Sequence, residues 1–555
     1  MTGDEWAKEY PRPQMKRESY VSLCGDWTLF VEQKGSLKKL GSIRVPFSPE
    51  TELSGICRTP KKGERYVYER SFSSAKDANK RLLLHFGAVD QIAEVSVNGM
   101  SVGSHTGGYL PFTFDITDYL KAGENLLRVR VTDELDTELA YGKQRKKRGG
   151  MWYTPISGIW QPVWLECVPK SYFSSLRLTP SLDRVTVETV GGAAQKTLTL
   201  QTETGEKAYC YEGDRFELIL DDPILWTPEH PYLYRFTLTD GEDRVESYFA
   251  LRTVETKTVN RVPRICLNGK PYFFHGLLDQ GYYSDGIYLP ATPSGYRFDI
   301  SEMKRLGFNM LRKHIKIEPE IFYYECDRQG MIVFQDMLNN GKYNFLIDTA
   351  LPTVGLKQGI AHHASKKRRA DFENGAKETL ELLYNHPSVC YYTIFNEGWG
   401  QYRDAERIYR ELKAKDPTRI YDTASGWFRV KESDVQSEHV YFKKIDLKVG
   451  KLPLVLSEFG GYSCKLEGHS FNLDKTYGYR TCETTERFEA DLLSLYRTEI
   501  LPAIGEGLCA AVLTQVSDVE DETNGLLTYD RRVTKVSALE MQKLAEELFQ
   551  AFDEK

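Results

Sequence analysis

Two glutamates follow apolar segments that have the composition of buried β-strands. Glu397 comes after the run 389–395 and Asn396, and Glu458 comes directly after the run 454–457. Double displacement at a glycosidic bond needs two carboxylic acids, one to protonate the leaving oxygen and one to attack the anomeric carbon. The pattern therefore predicts acid–base and nucleophilic chemistry on a sugar.

The elements that must hold these glutamates begin near residue 255, where strand-like and helix-like segments alternate. Eight such strands over residues 255–555 predict a (β/α)₈ barrel, in which active sites form at the carboxyl ends of the strands. The strand count places Glu397 after the fourth strand and Glu458 after the seventh. The irregular insertion 341–372 is typical of lids and binding loops.

The part of the chain before the barrel has the pattern of antiparallel sheets. In the run 127–131, apolar residues alternate with arginines, and Asn98-Gly99 is a strong hairpin signal. Residues 1–170 are predicted to form a jelly-roll β-sandwich. Residues 171–254 repeat the pattern on a smaller scale, as in an immunoglobulin-like β-sandwich.

Composition narrows the class of protein. The 555 residues carry a formal net charge of −6 and 41% hydrophobic residues, which favours several folded domains and argues against nucleic acid or an anionic membrane as partner. The strongest basic run, 143–148, is interpreted as a solvated loop. Ten scattered cysteines, an acidic N-terminus and no apolar run of about 18 residues predict a cytoplasmic protein without a membrane span.

Four motifs resemble those of glycoside hydrolase family 2, the group of β-galactosidases, β-glucuronidases and β-mannosidases. Residues 107–117 resemble its sugar-binding domain, 157–164 its strand-end signature, 385–389 with Asn396-Glu397 its acid/base signature, and 457–461 its nucleophile segment. The resemblance covers nearly the full length. It implies a jelly-roll domain, an immunoglobulin-like domain and a catalytic barrel, in agreement with the independent pattern.

The resemblance also implies roles for individual residues. Glu397 would be the general acid/base and Glu458 the nucleophile, with their carboxyl groups about 5–5.5 Å apart. We expect the charge of Glu458 to keep Glu397 protonated until the covalent intermediate forms. Asn396 would bind the 2-hydroxyl of the sugar, and Arg312 would keep Glu458 ionised.

Further residues near strand ends are candidates for substrate binding. Trp399 and Trp427 could stack on the sugar or pack within loops, and Asp279, Gln280 and Asp336 could bind hydroxyls or cap the barrel rim. His439 and Tyr441 resemble positions that border the family's active site, and either could orient Glu458. Trp152 is interpreted as a core residue. The substrate-binding candidates are Asn396, Arg312, His314, Asp279, Gln280, Asp336, Trp399, Trp427, His439 and Tyr441.

Two departures from the family bear on specificity. Residues 335–338 lack the Glu-x-His pair that holds a metal in large β-galactosidases, so we expect neither metal nor cofactor. The segment 524–526 lacks the lysine of the Asn-x-Lys pair with which β-glucuronidases bind the sugar carboxylate. We favour a retaining exo-β-glycosidase of β-galactosidase-like specificity, acting on small glycosides or oligosaccharides. Arabinosidase, mannosidase, glucuronidase or a non-catalytic carbohydrate-binding protein are the alternatives, and the resemblance is compatible with a homo-oligomer.

Overall fold

The computed structural model describes residues 2–74, 77–346, 348, 351, 365–400, 404–428, 430–441 and 443–554. These residues form three successive regions, two of antiparallel strands and one of alternating strands and helices. Each region has its own buried apolar cluster. The predicted fold class, two β-sandwiches followed by a (β/α)₈ barrel, is confirmed.

The first region is a sandwich of two antiparallel sheets. On Gly123–Thr132 the predicted alternation is confirmed, because Leu127, Val129 and Val131 are buried and the arginines between them are partly exposed. Leu84 of the other sheet packs into the same core. In sheet order the strands are Ser36–Val45, Gly25–Gln33, Arg65–Ser74, Gly123–Thr132, Ile92–Val97 and Met100–Thr106, and then Tyr20–Ser22, Val163–Pro169, Lys80–Phe86 and Phe112–Asp115.

Shorter elements complete the first region. They are the strand pair Val89–Asp90 and Gly158–Ile159 and the helical segments Thr2–Lys8, Pro13–Met15, Glu52–Ser54 and Thr117–Tyr119.

The second region is a smaller sandwich whose core includes Phe173, Leu198 and Phe236. A three-stranded sheet faces a four-stranded sheet across this core. Their strands are Phe173–Pro180, Arg184–Gly191 and Arg215–Ile219, and then Gly205–Glu212, Gln195–Thr202, Tyr234–Thr239 and Arg244–Phe249.

A short antiparallel sheet joins this sandwich to the barrel. Its strands are Val254–Val259, Val262–Leu267 and Lys270–Pro271. Ile265 and Leu267 pack with Phe274 and Ile332, which lie at the starts of two barrel strands. The sheet therefore covers the amino-terminal end of the barrel and leaves the carboxyl ends of the strands for the site.

The barrel consists of eight parallel strands whose residues are almost all buried, as expected for a sheet covered on both faces. Neighbours pair in the order β5-β4-β3-β2-β1-β8-β7-β6, and β5 approaches β6, so the barrel is nearly closed. The strands are β1 (Phe274–Asp279), β2 (Met310–Lys313), β3 (Ile332–Asp336), β4 (Val389–Phe395), β5 (Ile420–Ala424), β6 (Gln436–Val440), β7 (Leu454–Gly460) and β8 (Leu508–Thr514).

Helices and one small parallel pair surround these strands. The pair is Tyr462–Cys464 with Arg480–Cys482. The helices are Ser294–Arg305, Glu320–Gln329, Lys366–Leu383, Ala405–Lys415, Thr485–Leu495, Tyr496–Ile500, Leu501–Gly505 and Ala538–Asp553, with a 3₁₀ turn at Asn396–Gly398. Across the described ranges, no helix is both long and apolar enough to cross a membrane.

The predicted insertion 341–372 is only partly irregular. Helix Lys366–Leu383 begins inside it. The start of this helix was not recognised because its charged first half conceals the apolar face that Phe372, Ala376 and Leu380 bury. Residues 347, 349–350 and 352–364 lie outside the described residues, and with them most of the predicted lid.

Candidate active site

Glu397 and Glu458 lie together at the carboxyl ends of the barrel strands. Glu458 is part of β7 and is 5% exposed, and Glu397 follows β4 with its side chain 16% exposed. An oxygen of Glu397 lies within 4.8 Å of an oxygen of Glu458. This separation is on the short side of the ranges known for paired carboxylates in sugar hydrolysis.

The backbone at Glu397 has an uncommon conformation. Its φ of 51° and ψ of 28° fall in the left-handed region, which costs about 1–3 kcal/mol and is concentrated at functional sites. The Glu397 amide donates to Oγ of Ser425, which follows β5, at 3.2 Å. The loops after two neighbouring strands thus hold the turn that carries this carboxyl group.

Two donors hold the carboxylate of Glu458. Arg312 Nη1 donates to Oε1 at 3.0 Å, and the Tyr441 hydroxyl donates to Oε2 at 2.6 Å. Burial disfavours the charged form, but His439 first, and then Arg312 and His314, outweigh it and bring the pKa of Glu458 to about 2. Glu458 is therefore an anion with a fixed orientation at neutral pH.

Arg312, on β2, connects the parts of the site from below the cavity. It is 1% exposed, and its Nε donates to Asp336 at 3.0 Å. Its Nη2 donates to Oδ1 of Asn396 at 2.8 Å. A buried guanidinium is tolerated because two carboxylates, Asp336 and Glu458, balance its charge.

His439, at the end of β6, lies between the two glutamates. Its Nδ1 is 3.0 Å from Oε1 of Glu397 and 3.5 Å from Oε2 of Glu458. Its Nε2 is 3.3 Å from Nη1 of Arg312, which can only donate, so the neutral ring carries its proton on Nδ1 and offers it to the glutamates. Gly426 makes room, since a Cβ there would lie 2.8 Å from Nδ1.

Asn396 has one end of its amide fixed. Oδ1 accepts from Arg312 Nη2 and, at 3.0 Å, from the Ser425 hydroxyl. The Nδ2 group is left as a donor, and Asn396 lines the same cavity as the two glutamates. The facing atoms of Glu397, His439 and Glu458 lie within 4.8 Å of one another, a spacing that a metal ion could also bridge.

These residues open into a cavity of about 600 Å³ at the mouth of the barrel. Its size suits a ligand of one or two sugar rings. The first region contributes one wall, and the loops after the barrel strands contribute the others. The lining residues are Lys143, Arg145, Gly149, Gly150, Met151, Trp152, Leu278, Gln280, His314, Tyr343, Phe345, Asn396, Glu397, Trp427, Tyr441, Glu458, Tyr477, Tyr479, Thr514, Glu522 and Asn524.

Aromatic rings form much of this wall. Tyr479 stacks on Tyr441 with 4.0 Å between ring centroids, and Trp427 meets His439 edge-on at 5.8 Å. Trp152 lies against Tyr343 at 5.2 Å. Such rings pack against the C–H face of a sugar while polar groups bind its hydroxyls.

Five predicted binding residues are not among those that line the cavity: Trp399, Asp279 and Asp336, and the already described Arg312 and His439. Trp399 is 3% exposed, because it packs against Tyr141 and Trp152 and donates from Nε1 to the Gly341 carbonyl. Asp279 is ion-paired with Lys313 at 2.6 Å, at the rim of the barrel. Asp336 is also buried; it binds Arg312 and, at 2.7 Å, His314. These positions favour the alternative roles, loop packing for Trp399 and a place at the barrel rim for Asp279, and Asp336 orients His314, which lines the cavity.

Other cavity residues were missed from the sequence. Trp152 lines the cavity although it was assigned to the core, and Lys143 lines it although its basic run was interpreted as a solvated loop. Tyr477 and Tyr479 follow β7 in a segment without strand or helix signals. Glu522 could have been found, since it follows β8 at the same barrel end as the other two glutamates.

Glu522 is a third buried acid in the cavity. Its Oε2 accepts from the Tyr153 hydroxyl at 2.6 Å and from Gln515 Nε2 at 3.0 Å. Burial raises its pKa. Because Tyr153 belongs to the first region, this contact also fixes the N-terminal wall of the cavity to the barrel.

Comparison with known proteins gives matches along most of the chain. A curated β-glucuronidase of Bacteroides fragilis is 26% identical over 427 residues, which are 68% of this chain and 57% of that protein. A β-galactosidase of Aeromonas hydrophila is 28% identical over 459 residues, which are 75% of this chain and 41% of that protein. The chain thus spans about half the length of these curated relatives.

The fold recurs in solved structures. That of a β-D-glucuronidase from Dictyoglomus thermophilum superposes with a TM-score of 0.75 at 18% identity and covers 98% of both chains. Family models match residues 31–159 (glycosyl hydrolase 2 galactose-binding domain-like), 175–252 (glycosyl hydrolases family 2) and 261–454 (glycosyl hydrolases family 2, TIM barrel domain). These successive matches show that the chain belongs to glycoside hydrolase family 2.

Proposed function

We propose that this protein is a retaining exo-β-glycosidase in which Glu397 is the general acid/base and Glu458 the nucleophile. The observation that carries the proposal is the short separation of two carboxyl groups in unlike surroundings, with oxygens within 4.8 Å. Glu458 is held as an anion by Arg312 and Tyr441, whereas Glu397 faces the cavity and a single histidine nitrogen. An anion suits the attacking group, and the more open carboxyl group suits proton exchange.

In the first step, a proton passes from Glu397 to the glycosidic oxygen as the bond between that oxygen and the anomeric carbon breaks. An oxygen of Glu458 forms the new bond to that carbon, so the products are a glycosyl ester and the free alcohol. Arg312 and Tyr441 keep the attacking carboxylate oriented. The free Nδ2 of Asn396 is available for the 2-hydroxyl, a contact that tightens as charge develops on the ring.

In the second step, water replaces the departed alcohol. Glu397, now a carboxylate, takes a proton from this water. The water oxygen bonds to the anomeric carbon as the ester bond between that carbon and Glu458 breaks. Both carboxyl groups return to their starting states. Two inversions at one carbon leave the β-configuration of the released sugar unchanged.

The cavity supports action at the end of a sugar chain. It is lined by Lys143 and Trp152 of the first region and by Tyr343 and Phe345 of the loop after β3. Its volume of about 600 Å³ suits a terminal sugar with part of its neighbour. The curated relatives are named as a β-galactosidase and a β-glucuronidase, so a terminal galactoside and a terminal uronide are the two candidate substrates.

The experiment is a panel of nitrophenyl β-glycosides, assayed with the wild type, Glu397→Gln and Glu458→Gln. The exposed Glu467→Gln is the matched control. We expect hydrolysis of at least one glycoside by the wild type and the control, and loss of about 10³-fold or more in kcat for each active-site variant. Wild-type-like turnover by Glu458→Gln would refute the assignment, and an inactive wild type that binds sugars would favour a carbohydrate-binding protein.

A further inference from the structure

Building on the proposed function, we propose that Lys143 binds a carboxylate of the substrate, so that the cavity selects β-glycosides that carry an anionic group. Lys143 belongs to the first region, more than a hundred residues before the barrel begins. It lines the same cavity as Glu397 and Glu458.

The backbone at Lys143 is held firmly. The Tyr153 amide donates to the Lys143 carbonyl at 2.9 Å, and the adjacent Gln144 is fully buried. Gln144 donates to the Tyr109 hydroxyl at 2.9 Å and accepts from the Ile156 amide at 2.6 Å. The position of this lysine is therefore set by buried contacts, unlike that of a lysine on a solvated loop.

The same segment is attached to the barrel. The Tyr153 hydroxyl donates to Glu522, and the Thr154 amide donates to Oε1 of Glu520 at 2.9 Å. Both glutamates follow β8. These bonds hold Lys143 over the barrel mouth, on the side where β8 ends.

Lys143 differs from the other cations of the site because its charge is not paired. Arg312 is paired with Asp336 and Glu458, and Arg145 lies over the Trp152 ring at 4.4 Å. No hydrogen bond or ion pair joins the Lys143 ammonium to any residue in the described part of the chain. Partly buried and unpaired, it can bind an incoming anion at little cost in existing contacts.

The charge of Lys143 is nevertheless felt by its neighbours. The pKa of His314 is lowered, mainly by burial and next by the positive charge of Lys143. At Glu522 the same charge opposes the rise in pKa that burial causes. The charge of Lys143 therefore acts on groups that follow both β2 and β8, in the cavity that this residue lines.

The neighbouring polar groups suit a carboxylate partner. Asn524 accepts from Gln515 Nε2 at 2.7 Å through Oδ1, which leaves its Nδ2 as a donor in the cavity wall. Gln280 is 5% exposed, and its Oε1 has no partner among the residues described. An ammonium and two side-chain amides can together bind a carboxylate and an adjacent sugar hydroxyl.

The carboxylate could belong to the terminal sugar or to the leaving group, and paired substrates distinguish these sources. Nitrophenyl β-glucuronide and β-galacturonide are compared with nitrophenyl β-glucoside and β-galactoside. A p-carboxyphenyl β-galactoside carries the charge in the leaving group instead. The enzymes are the wild type, Lys143→Met and the control Lys147→Met, which removes an exposed lysine from the same basic run.

We expect Lys143→Met to lose about 10- to 100-fold in kcat/KM on the substrates of one anionic class and to match the wild type on neutral ones. Lys147→Met should match the wild type throughout. An equal loss on anionic and neutral substrates would overturn the proposal, because Lys143 would then only balance the charge of the acids. A wild type that prefers the neutral glycosides would overturn it as well.

Calorimetric binding of free D-glucuronate and D-galacturonate, against D-glucose and D-galactose, separates this inference from the proposed function. Uronate binding that Lys143→Met abolishes, in a protein that cleaves none of the glycosides, would support the lysine site and refute the glycosidase. Cleavage of neutral glycosides alone, with no uronate binding, would support the glycosidase and refute the lysine site.

Discussion

The hydroxyl of Tyr441 donates a hydrogen bond of 2.6 Å to Oε2 of Glu458, the side chain proposed to attack the substrate. The same hydroxyl lies 2.9 Å from Oγ1 of Thr514 at the end of β8. Tyr441, which follows β6, and Thr514, at the end of β8, thus fix a carboxylate carried by β7 between them. Its orientation is set before any substrate binds.

Replacing Tyr441 by Phe tests this relationship. Removing one hydrogen bond to a charged group should reduce kcat by about 10- to 100-fold. KM should change little, because the ring and its stacking on Tyr479 remain. Steady-state kinetics are compared with those of Tyr409→Phe, which removes a hydroxyl on an outer helix. An unchanged kcat for Tyr441→Phe would contradict the assigned role.

Arg312 is the permanent cation that, together with His439, keeps Glu458 ionised. The pKa of Glu458 is depressed to about 2, so the carboxylate is charged at every pH above that value. In Arg312→Met burial still raises this pKa, but its largest permanent counter-charge is gone. We therefore expect the acid limb of kcat/KM to shift to higher pH and Arg312→Lys to restore part of the shift. Thermal unfolding checks that each variant is folded, and an acid limb that does not move would contradict this role of Arg312.

Chelation should leave activity unchanged. The two oxygens of Glu458 already accept from Arg312 and Tyr441, so its charge is balanced without a metal ion. Activity is measured after dialysis against EDTA, with and without added Mg²⁺ or Mn²⁺. Loss of activity that either ion restores would show that the Glu397, His439 and Glu458 cluster binds a metal.

The two candidate tryptophans should respond in opposite ways. Trp427→Ala removes a ring from the cavity wall and should raise KM about tenfold with little change in Tm. Trp399→Ala should instead lower the free energy of unfolding by about 3–5 kcal/mol, because it leaves a cavity in the packed cluster between the first region and the barrel. Measuring KM and thermal unfolding for both variants distinguishes a sugar-binding tryptophan from a packing tryptophan. Equal effects on KM would restore Trp399 as a sugar-binding residue.

Much of the fold could be predicted from the sequence because strand patterns are local. The alternation at 127–131 and the apolar runs of β4 and β7 need only their own residues, and strand order then places Glu397 and Glu458 at one barrel end. The start of helix Lys366–Leu383 was missed, and fell within the predicted insertion 341–372, since its first turns are charged on all sides but one.

The cavity wall could not be predicted because it forms between distant parts of the chain. Lys143 reaches the site only because Tyr153 and Thr154 bind the loop after β8, more than 350 residues away. Trp399 is buried by Tyr141 and Trp152 of the first region, which no local pattern of the barrel encodes. Contacts between regions, rather than propensities, decide which side chains face the substrate.

The stereochemistry of the first-formed product tests the central proposal most directly. A cleaved nitrophenyl β-glycoside is followed by ¹H NMR from the first minutes, before the released sugar mutarotates. We expect the β-anomer to appear first, because two displacements through Glu458 restore the configuration. Initial release of the α-anomer would mean a single displacement by water and would contradict the role of Glu458 as nucleophile.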